Sequence, residues 1–428
     1  MAHRFCVKRS VLILMIFLCA PVFAGNVIFV HVDGAGVANW QALRFLTVGP
    51  DGDTEWDRLP HMAVYRGHIS DNLTATSNAG AVAHAYGVRV DEKSFGMDHE
   101  AVLPIVNASG RRETLMQEAK RRGLRVGVIN SGSVIEPGTA VFLTAAKKRD
   151  DYEAITAGVL ESGADVIMSG GEEWMLPEGV KGRHGTGKRS DQRNLVLEAQ
   201  SRGYVVVYDK NELANVKSDT TKLLGIFASQ HTFHDLPQNV LTAQKKAHYL
   251  ESAPTVAEMT RKALEIFKGS HFFLVVEEEG SDNFANVNNA PGVLESLRRA
   301  DEALGVARRF VKENSDTLVI TAADSEAGGW DVIGLNAENP DHRKYVMMGR
   351  DKNGAPYGLN TNGEPFLSAP DASGRRLEFV LAWAAIPDTS GGILVRAEGR
   401  EANKVTGSLS NVDIYKIIRD VLFLNGVK

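Results

Sequence analysis

Beyond residue 19 the chain contains no cysteine: its two cysteines, Cys6 and Cys19, both fall at the start of 428 residues. They lie in a leader with Arg4, Lys8 and Arg9 as a basic head, the apolar run VLILMIFLCAPVFA, and the small-residue pattern Val22-Phe23-Ala24 before Gly25. That pattern predicts a removable export signal over residues 1–24, and Leu18 argues against lipid attachment at Cys19. Without the leader there is no thiol for a disulfide, a nucleophile or a sulfur-ligated metal. An exported chain without disulfides suits a bacterial periplasm or secretion. The apolar run is short for a membrane span, and no later segment is apolar enough for one. Basic charge is also scarce. Removing the three leader cations from 48 leaves 45 Lys and Arg against 53 Asp and Glu, a formal −8, which excludes a general nucleic-acid binder. There is no internal repeat, low-complexity tract or linker, so residues 25–428 read as one domain, and 43% apolar content supplies a large core.

Short apolar runs recur with helical stretches between them. Strands are expected at 26–32, 125–131, 165–170, 204–209, 222–227, 272–277, 317–323 and 392–397. Helices are expected at 78–86, 111–122, 151–161, 193–202, 255–268, 293–313 and 411–424. This alternation predicts an α/β fold with a large, mostly parallel central sheet and helices on both faces. The Gly-, Asn-, Asp- and Pro-rich stretch 328–378 is expected to form a loop-rich cap or rim. Ligands in such sheets collect beyond the carboxyl ends of the strands. Asp33, Glu277 and Asp324 stand at those ends, and HFFLVVEEEGSDNFANVNN (271–289) turns there from a buried strand into carboxylates and amides.

Two phosphate-binding patterns fail. GRHGTGKRS (182–190) nearly matches a phosphate-cradling loop, but Arg189 replaces the metal-holding hydroxyl and no apolar strand precedes it, so it reads as a basic surface loop. DGAGVAN lacks the third glycine of a dinucleotide motif. In TATSNAGAVAHAYGVRV (74–90), Ser77 stands at the start of a small-residue helix, where free N–H groups and the dipole favour an anion. An ordinary N-cap serine would look the same.

That segment resembles the nucleophile motif of the alkaline phosphatase family, in which a serine opens a small-residue helix ending in Gly-Val-Lys/Arg, here Gly87-Val88-Arg89. Further similar blocks come in the family's order: VIFVHVDGAG (27–36), ADVIMSGGEEW (164–174), QRNLVLEAQSRGYVVVYDKNEL (192–213), PTVAEMTRKALEIFKGSHFFLVVEEEGSD (254–282), TLVITAADSEAGG (317–329) and SGGILVRAEGREANKVTGSLSNVDIYKII (390–418). The resemblance implies the family's α/β fold and hydrolysis of small phosphate esters by a serine acting between two divalent metals, commonly zinc. A phosphoserine intermediate, a nearby magnesium and a homodimer are implied with it. Carried over by motif, Ser77 would be the nucleophile, in contact with the metals, and Arg149 the phosphate-binding arginine. Asp33 and Glu277 would serve the magnesium site, with Asp33 bridging to a zinc site. Asp282 and Asp324 would each belong to one zinc site.

The departures from the family pattern are systematic. Asn286, Ser325 and Asp388 stand where the resemblance places the three metal-binding histidines, and no histidine follows His342. The hydroxyl of the magnesium site falls on Gly138, with Thr139 adjacent and Glu136 nearby. Glu278, Glu279 and Glu326 are neighbouring alternatives, all oxygen donors. An all-oxygen set suits magnesium, manganese or calcium better than zinc. His31, His84, His231 and His234 read as core or loop histidines. Two readings result: a phosphatase running on hard metals, or a degenerate relative that binds a phosphorylated ligand or partner. A phosphodiesterase or sulfatase is a third, although the modified residue sulfatases need has no motif here.

Overall fold

The computed structural model describes residues 25–98, 100, 102–335 and 340–423. The leader expected at 1–24, and Leu424 at the end of the last expected helix, lie outside them. Ten strands form the central sheet: β1 Asn26–Val32, β2 His61–Arg66, β3 Arg125–Ser133, β4 Val166–Gly170, β5 Val205–Val207, β6 Leu223–Ile226, β7 Phe272–Glu278, β8 Thr317–Ala322, β9 Leu394–Gly399 and β10 Ser408–Ser410. Their order is β10-β2-β9-β8-β1-β7-β3-β4-β6-β5. β1 runs parallel to β7 and β8 on its two sides, and only β9 is antiparallel to its neighbours, β8 and β2. The α/β sheet with helices on both faces is therefore as expected.

Strand alternation divides the core in two. Val27 and Phe29 of β1 pack with Phe273 and Val275 of β7 against the helices Ser77–Tyr86, Pro137–Leu143 and Asn411–Leu422. Ile28, Val30 and Val32 point the other way, against Val256–Phe267 and Ala290–Glu313. Burying each such side chain contributes roughly 1.5–3 kcal/mol, and the central strands are buried on both faces.

All eight expected strands are present, although the fourth shrinks to Val205–Val207 and the last lies at Leu394–Gly399. The helix expected at 111–122 begins only at Leu115. Thr114 caps it, accepting a bond from the Gln117 N–H at 3.0 Å while its own N–H reaches Gln117 Oε1 at 2.9 Å. The helix expected from 293 starts at Ala290, because the Asn289 side chain accepts from the Gly292 N–H at 3.0 Å. Beyond the expected elements the sheet contains strands β2 and β10, and helices Val37–Thr47, Pro137–Leu143 and Gly280–Ala285 are among those the sequence pattern does not show.

The 328–378 stretch is more regular than a loop-rich rim. Asp331–Gly334, Tyr357–Gly358 and Phe366–Leu367 all pair antiparallel with Glu378–Ala382. This small sheet is anchored on the second core by Trp330, Phe366, Phe379 and Trp383.

The near-match at 182–190 also departs from its reading as a basic surface loop. Arg189 is buried, its Nη1 donating to the carbonyls of Glu153 at 3.1 Å and Trp174 at 3.0 Å, with Asp191 pairing its fork. The backbone N–H groups of Arg183, His184 and Gly185 do converge on an anion, the buried carboxylate of Glu172, at 2.8, 2.6 and 3.0 Å. A Cβ at Gly182 would lie 2.4–2.6 Å from that carboxylate. The loop thus cradles a side chain of its own chain. Glu172→Ala is expected to destabilise the protein by roughly 2–3 kcal/mol, because three donors lose a charged acceptor. Arg183→Ala on the exposed rim of the same loop should stay within about 0.5 kcal/mol. Urea midpoints of the two variants check this, and equal midpoints would remove the carboxylate from the argument.

Candidate functional site

Three neighbouring strands, β8, β1 and β7, end side by side, and their parallel register places His31 opposite both Glu277 and Ala322. Each strand delivers a carboxylate to one buried cluster. Asp33 follows β1, Glu277 is the penultimate residue of β7, and Asp324 follows β8; all three are at most 1% exposed. Gly34 lets the chain turn away at φ +68°, where an added Cβ would meet Asp282 Oδ1 at 3.0 Å. The helix Gly280–Ala285 after β7 brings in Asp282, and the Asn286 amide donates to Asp282 Oδ2 at 2.7 Å.

Asp388 comes from far along the chain. It pairs with Ala327 in a two-residue ladder, Asp388–Thr389 against Glu326–Ala327. Its carboxyl is pushed up by burial and by the charge of Asp324, against hydrogen bonding to Asp282, Ser325 and Asn286. Ser325 N–H donates to Asp324 Oδ1 at 2.7 Å, with its hydroxyl 3.3 Å from the same oxygen. The structure therefore assembles Asp33, Glu277, Asp282, Asn286, Asp324, Ser325 and Asp388 in one place.

Ser77 is the first residue of its helix rather than the N-cap, which is Thr76. The Thr76 hydroxyl is turned away to the Glu92 carbonyl at 2.9 Å. One turn on, Gly80 packs so closely on Asp324 that a Cβ there would stand 2.4 Å from the Asp324 Cβ. Ser77 and Gly80 share a helix face, so the serine end of the helix sits over the cluster. Among the described residues no hydrogen bond engages the Ser77 hydroxyl. Arg149 donates from Nη1 to the Asn78 amide oxygen at 3.4 Å, beside Ser77. Its guanidinium pKa is pulled down by burial but raised on balance by Glu136, Glu279, Asp33 and Asp282.

The neighbouring alternatives separate in space. Glu279 joins Asp33 and Glu277, with one ligand atom from each lying within 4.8 Å of the others. Glu278 points to the opposite face, where Ser131 Oγ and Tyr249 Oη donate to its Oε1 at 2.7 and 2.5 Å. Glu326 lies against Gly36 and Gly391 instead. Thr139, beside Gly138, is already engaged: its Oγ accepts from Asn130 Nδ2 at 2.9 Å and donates to the Glu136 carbonyl at 3.3 Å. At Gly138 itself a Cβ would fall 1.7 Å from Glu277 Oε1.

His31 is the residue that the strand-histidine reading passed over. It is fully buried and its Nδ1 lies 3.1 Å from Glu277 Oε1, while Asn130 Nδ2 holds the other oxygen of that carboxylate. Burial pulls the His31 pKa down, but the bond to Glu277 and the charges of Glu277 and Asp324 raise it on balance. His84, by contrast, is forced down to about 3 by burial and by His31, and its Nε2 sits 2.7 Å from the Tyr65 hydroxyl. His231 stacks on Phe233, with Nδ1 3.8 Å from Glu136 Oε1. His234 Nδ1 meets the Ala247 carbonyl at 2.9 Å in an outer loop.

The chemistry of this donor set fits divalent cations. Both oxygens of Asp33 and one oxygen each of Glu279, Asp282, Asp324 and Asp388 are buried without a hydrogen-bond partner, as is His31 Nε2. Buried carboxylate oxygens are costly unless paired, bonded or bound to metal. Asp33, Glu279 and Asp282 are accordingly pushed well above the usual carboxylate range, first by burial and then by their neighbours' charge. Asp324 is held low despite its burial, because Asp33 beside it can take up the proton instead, His31 and His84 stand near, and the Ser325 N–H bonds to it.

Among the described residues, no helix is long and apolar enough to cross a membrane. A family model described as alkaline phosphatase matches residues 24–424. The chain is 26% identical to the alkaline phosphatase of Gadus morhua over 90% of its own length and 88% of that protein. It is 25% identical to alkaline phosphatase H of Pseudomonas aeruginosa, covering 94% and 86%. The crystal structure of Thermus thermophilus alkaline phosphatase superposes with a TM-score of 0.70 at 19% identity, over 94% of this chain and 93% of that one.

Proposed function

The chain belongs to the alkaline phosphatase family, a family of divalent-metal-dependent phosphatases, and we propose that it hydrolyses phosphate monoesters through a phosphoserine at Ser77. The observation that carries this reading is the seating of the Ser77 helix, through Gly80, on a cluster of partnerless buried carboxylate oxygens. Such a helix start offers unpaired N–H groups and a positive dipole end to the phosphoryl oxygens. Arg149 offers a planar fork to the same oxygens, and the Asn78 amide orients it. The serine oxygen attacks phosphorus, the ester oxygen leaves as the alcohol, and water then releases phosphate from the serine, which divides one hard displacement into two.

Asp33, Glu277, Asp282, Asn286, Asp324, Ser325 and Asp388 are the residues that would hold cations, with Ser77 beside them. Divalent ions bound there supply Lewis-acid charge that lowers the pKa of the serine and of water and neutralises the phosphoryl group. The oxygen donors suit magnesium, manganese or calcium, against the zinc that family resemblance implies. The chain is one domain from residue 25 to 428 with 328–378 as its rim, and the leader directs its export to the periplasm or the medium. Recovery of mature protein that begins at Gly25 tests the export reading. A homodimer rests on the resemblance alone, and sedimentation of the purified chain decides it.

Arg149→Ala is the direct test of phosphate recognition. Loss of the fork is expected to weaken inhibition by inorganic phosphate and to raise KM for an aryl phosphate by about 10–100-fold, the cost of a charge-assisted pair. Unchanged phosphate inhibition would take Arg149 out of the site.

A further inference from the structure

We propose that His31 is itself a metal ligand, supplying through Nε2 the nitrogen donor of a mixed subsite completed by Asp33 and Asp324. The three side chains each place a ligand atom within 4.8 Å of the others, and all three are buried. His31 Nδ1, 3.1 Å from Glu277 Oε1, is the nitrogen that carries hydrogen, because the carboxylate can only accept. The lone pair is then on Nε2, which has no hydrogen-bond partner. It lies 3.9 Å from Asp33 Oδ1 and 3.8 Å from Asp324 Oδ1.

These separations distinguish a shared proton from a shared cation. A hydrogen bond between nitrogen and oxygen spans about 2.7–3.2 Å, so 3.8–3.9 Å is too long for one. Two donors each about 2.1 Å from a common ion stand up to about 4.2 Å apart. With or without a proton, Nε2 makes no hydrogen bond to either carboxylate at these distances, and an ion held by all three would occupy the space between them. The carboxylate–imidazole pairing of Glu277 with His31 is also how proteins fix the tautomer and ring angle of a ligating histidine. Gly138 completes the argument, since a Cβ there would stand 1.7 Å from Glu277 Oε1 and 2.6 Å from His31 Nδ1. The missing side chain at 138 makes room for this pair.

The subsite therefore joins one imidazole to carboxylates. That composition fits manganese, which accepts both donor types, better than calcium, which takes oxygen alone. The proposal rests on the phosphatase reading only in expecting a bound divalent ion, and its test does not measure turnover. The full chain loaded with Mn2+ is probed by electron spin-echo envelope modulation, which detects nitrogen bonded to the ion. Nitrogen modulation is expected in the unaltered protein, its loss in His31→Gln, and its retention in His231→Gln, which alters the imidazole beside Glu136. A titration of Mn2+ should show at least about a tenfold weaker site in His31→Gln, comparable to or beyond the cost of losing an outer-shell partner. Failure to bind Mn2+, bound Mn2+ without nitrogen modulation in the unaltered protein, or modulation that survives His31→Gln would each overturn the proposal. Nitrogen modulation in a protein that hydrolyses no phosphate ester would uphold it while the phosphatase reading failed. Hydrolysis without modulation would do the reverse.

Discussion

Alanine at position 77 is expected to leave the protein folded and to cut hydrolysis of an aryl phosphate at least about a thousandfold, the scale of losing a covalent nucleophile. A thousandfold corresponds to about 4 kcal/mol of barrier. The fold should be indifferent to the change. Ser77 occupies the first helical position, Thr76 is the cap, and no hydrogen bond among the described residues engages the serine hydroxyl. Alanine is also the best helix former, so the melting temperature should hold within experimental scatter. The loss should fall on kcat, because the proposed phosphate-binding groups, Arg149 and the helix N-terminus, are untouched by the change. An acid-quenched sample with labelled substrate should carry phosphate on the unaltered protein and none on Ser77→Ala. Undiminished turnover in the variant would remove the serine from the chemistry.

Removing divalent ions with a chelator is expected to abolish turnover and to lower stability together. One cluster holds buried Asp33, Glu277, Glu279, Asp282 and Asp324 with half-buried Asp388, and most of them have an oxygen without a partner. A cation that binds only the folded chain stabilises it by about 2.7 kcal/mol at a hundred times its dissociation constant. Resupplying ions one at a time then reports the donor chemistry. Manganese and magnesium should restore both activity and melting temperature, because the set is carboxylate, amide and hydroxyl oxygen with one imidazole. Recovery with zinc alone would overturn the oxygen-donor argument. A chelated protein that keeps its full melting temperature would mean the cluster holds no ion.

The strand-end rule made Asp33, Glu277 and Asp324 legible, because a parallel sheet gathers the carboxyl ends of its central strands, and the residues just beyond them, along one edge. The small residues after Ser77 did not by themselves set it apart from an N-cap serine; the fold shows a use for one of them, since any side chain at Gly80 would displace Asp324. Parity was the signal left unread. Alternation puts His31 of β1 and Glu277 of β7 on one face and Glu278 on the other, so parity alone would have paired the imidazole with Glu277. A histidine in an apolar strand is usually core, and that prior concealed it. The six-residue helix Gly280–Ala285 is too short to show a period. The rim strands at Tyr357–Gly358 and Phe366–Leu367 are two residues each, below any alternation signal. The ladder that carries Asp388 to Ala327 joins distant segments, and only the folded chain shows it.

The position of β1 in the sheet bears on when this chain can fold. The first strand to be synthesised lies at the centre, and its neighbours come much later: Glu277 is 246 residues beyond His31, and Thr317 is 291 residues beyond Asn26. Until the ribosome has passed β8, the strand that anchors both halves of the core has only one flank available at most. Contacts this distant in sequence close slowly. The central sheet of such a chain is expected to close only late in synthesis, once β7 and β8 can flank β1.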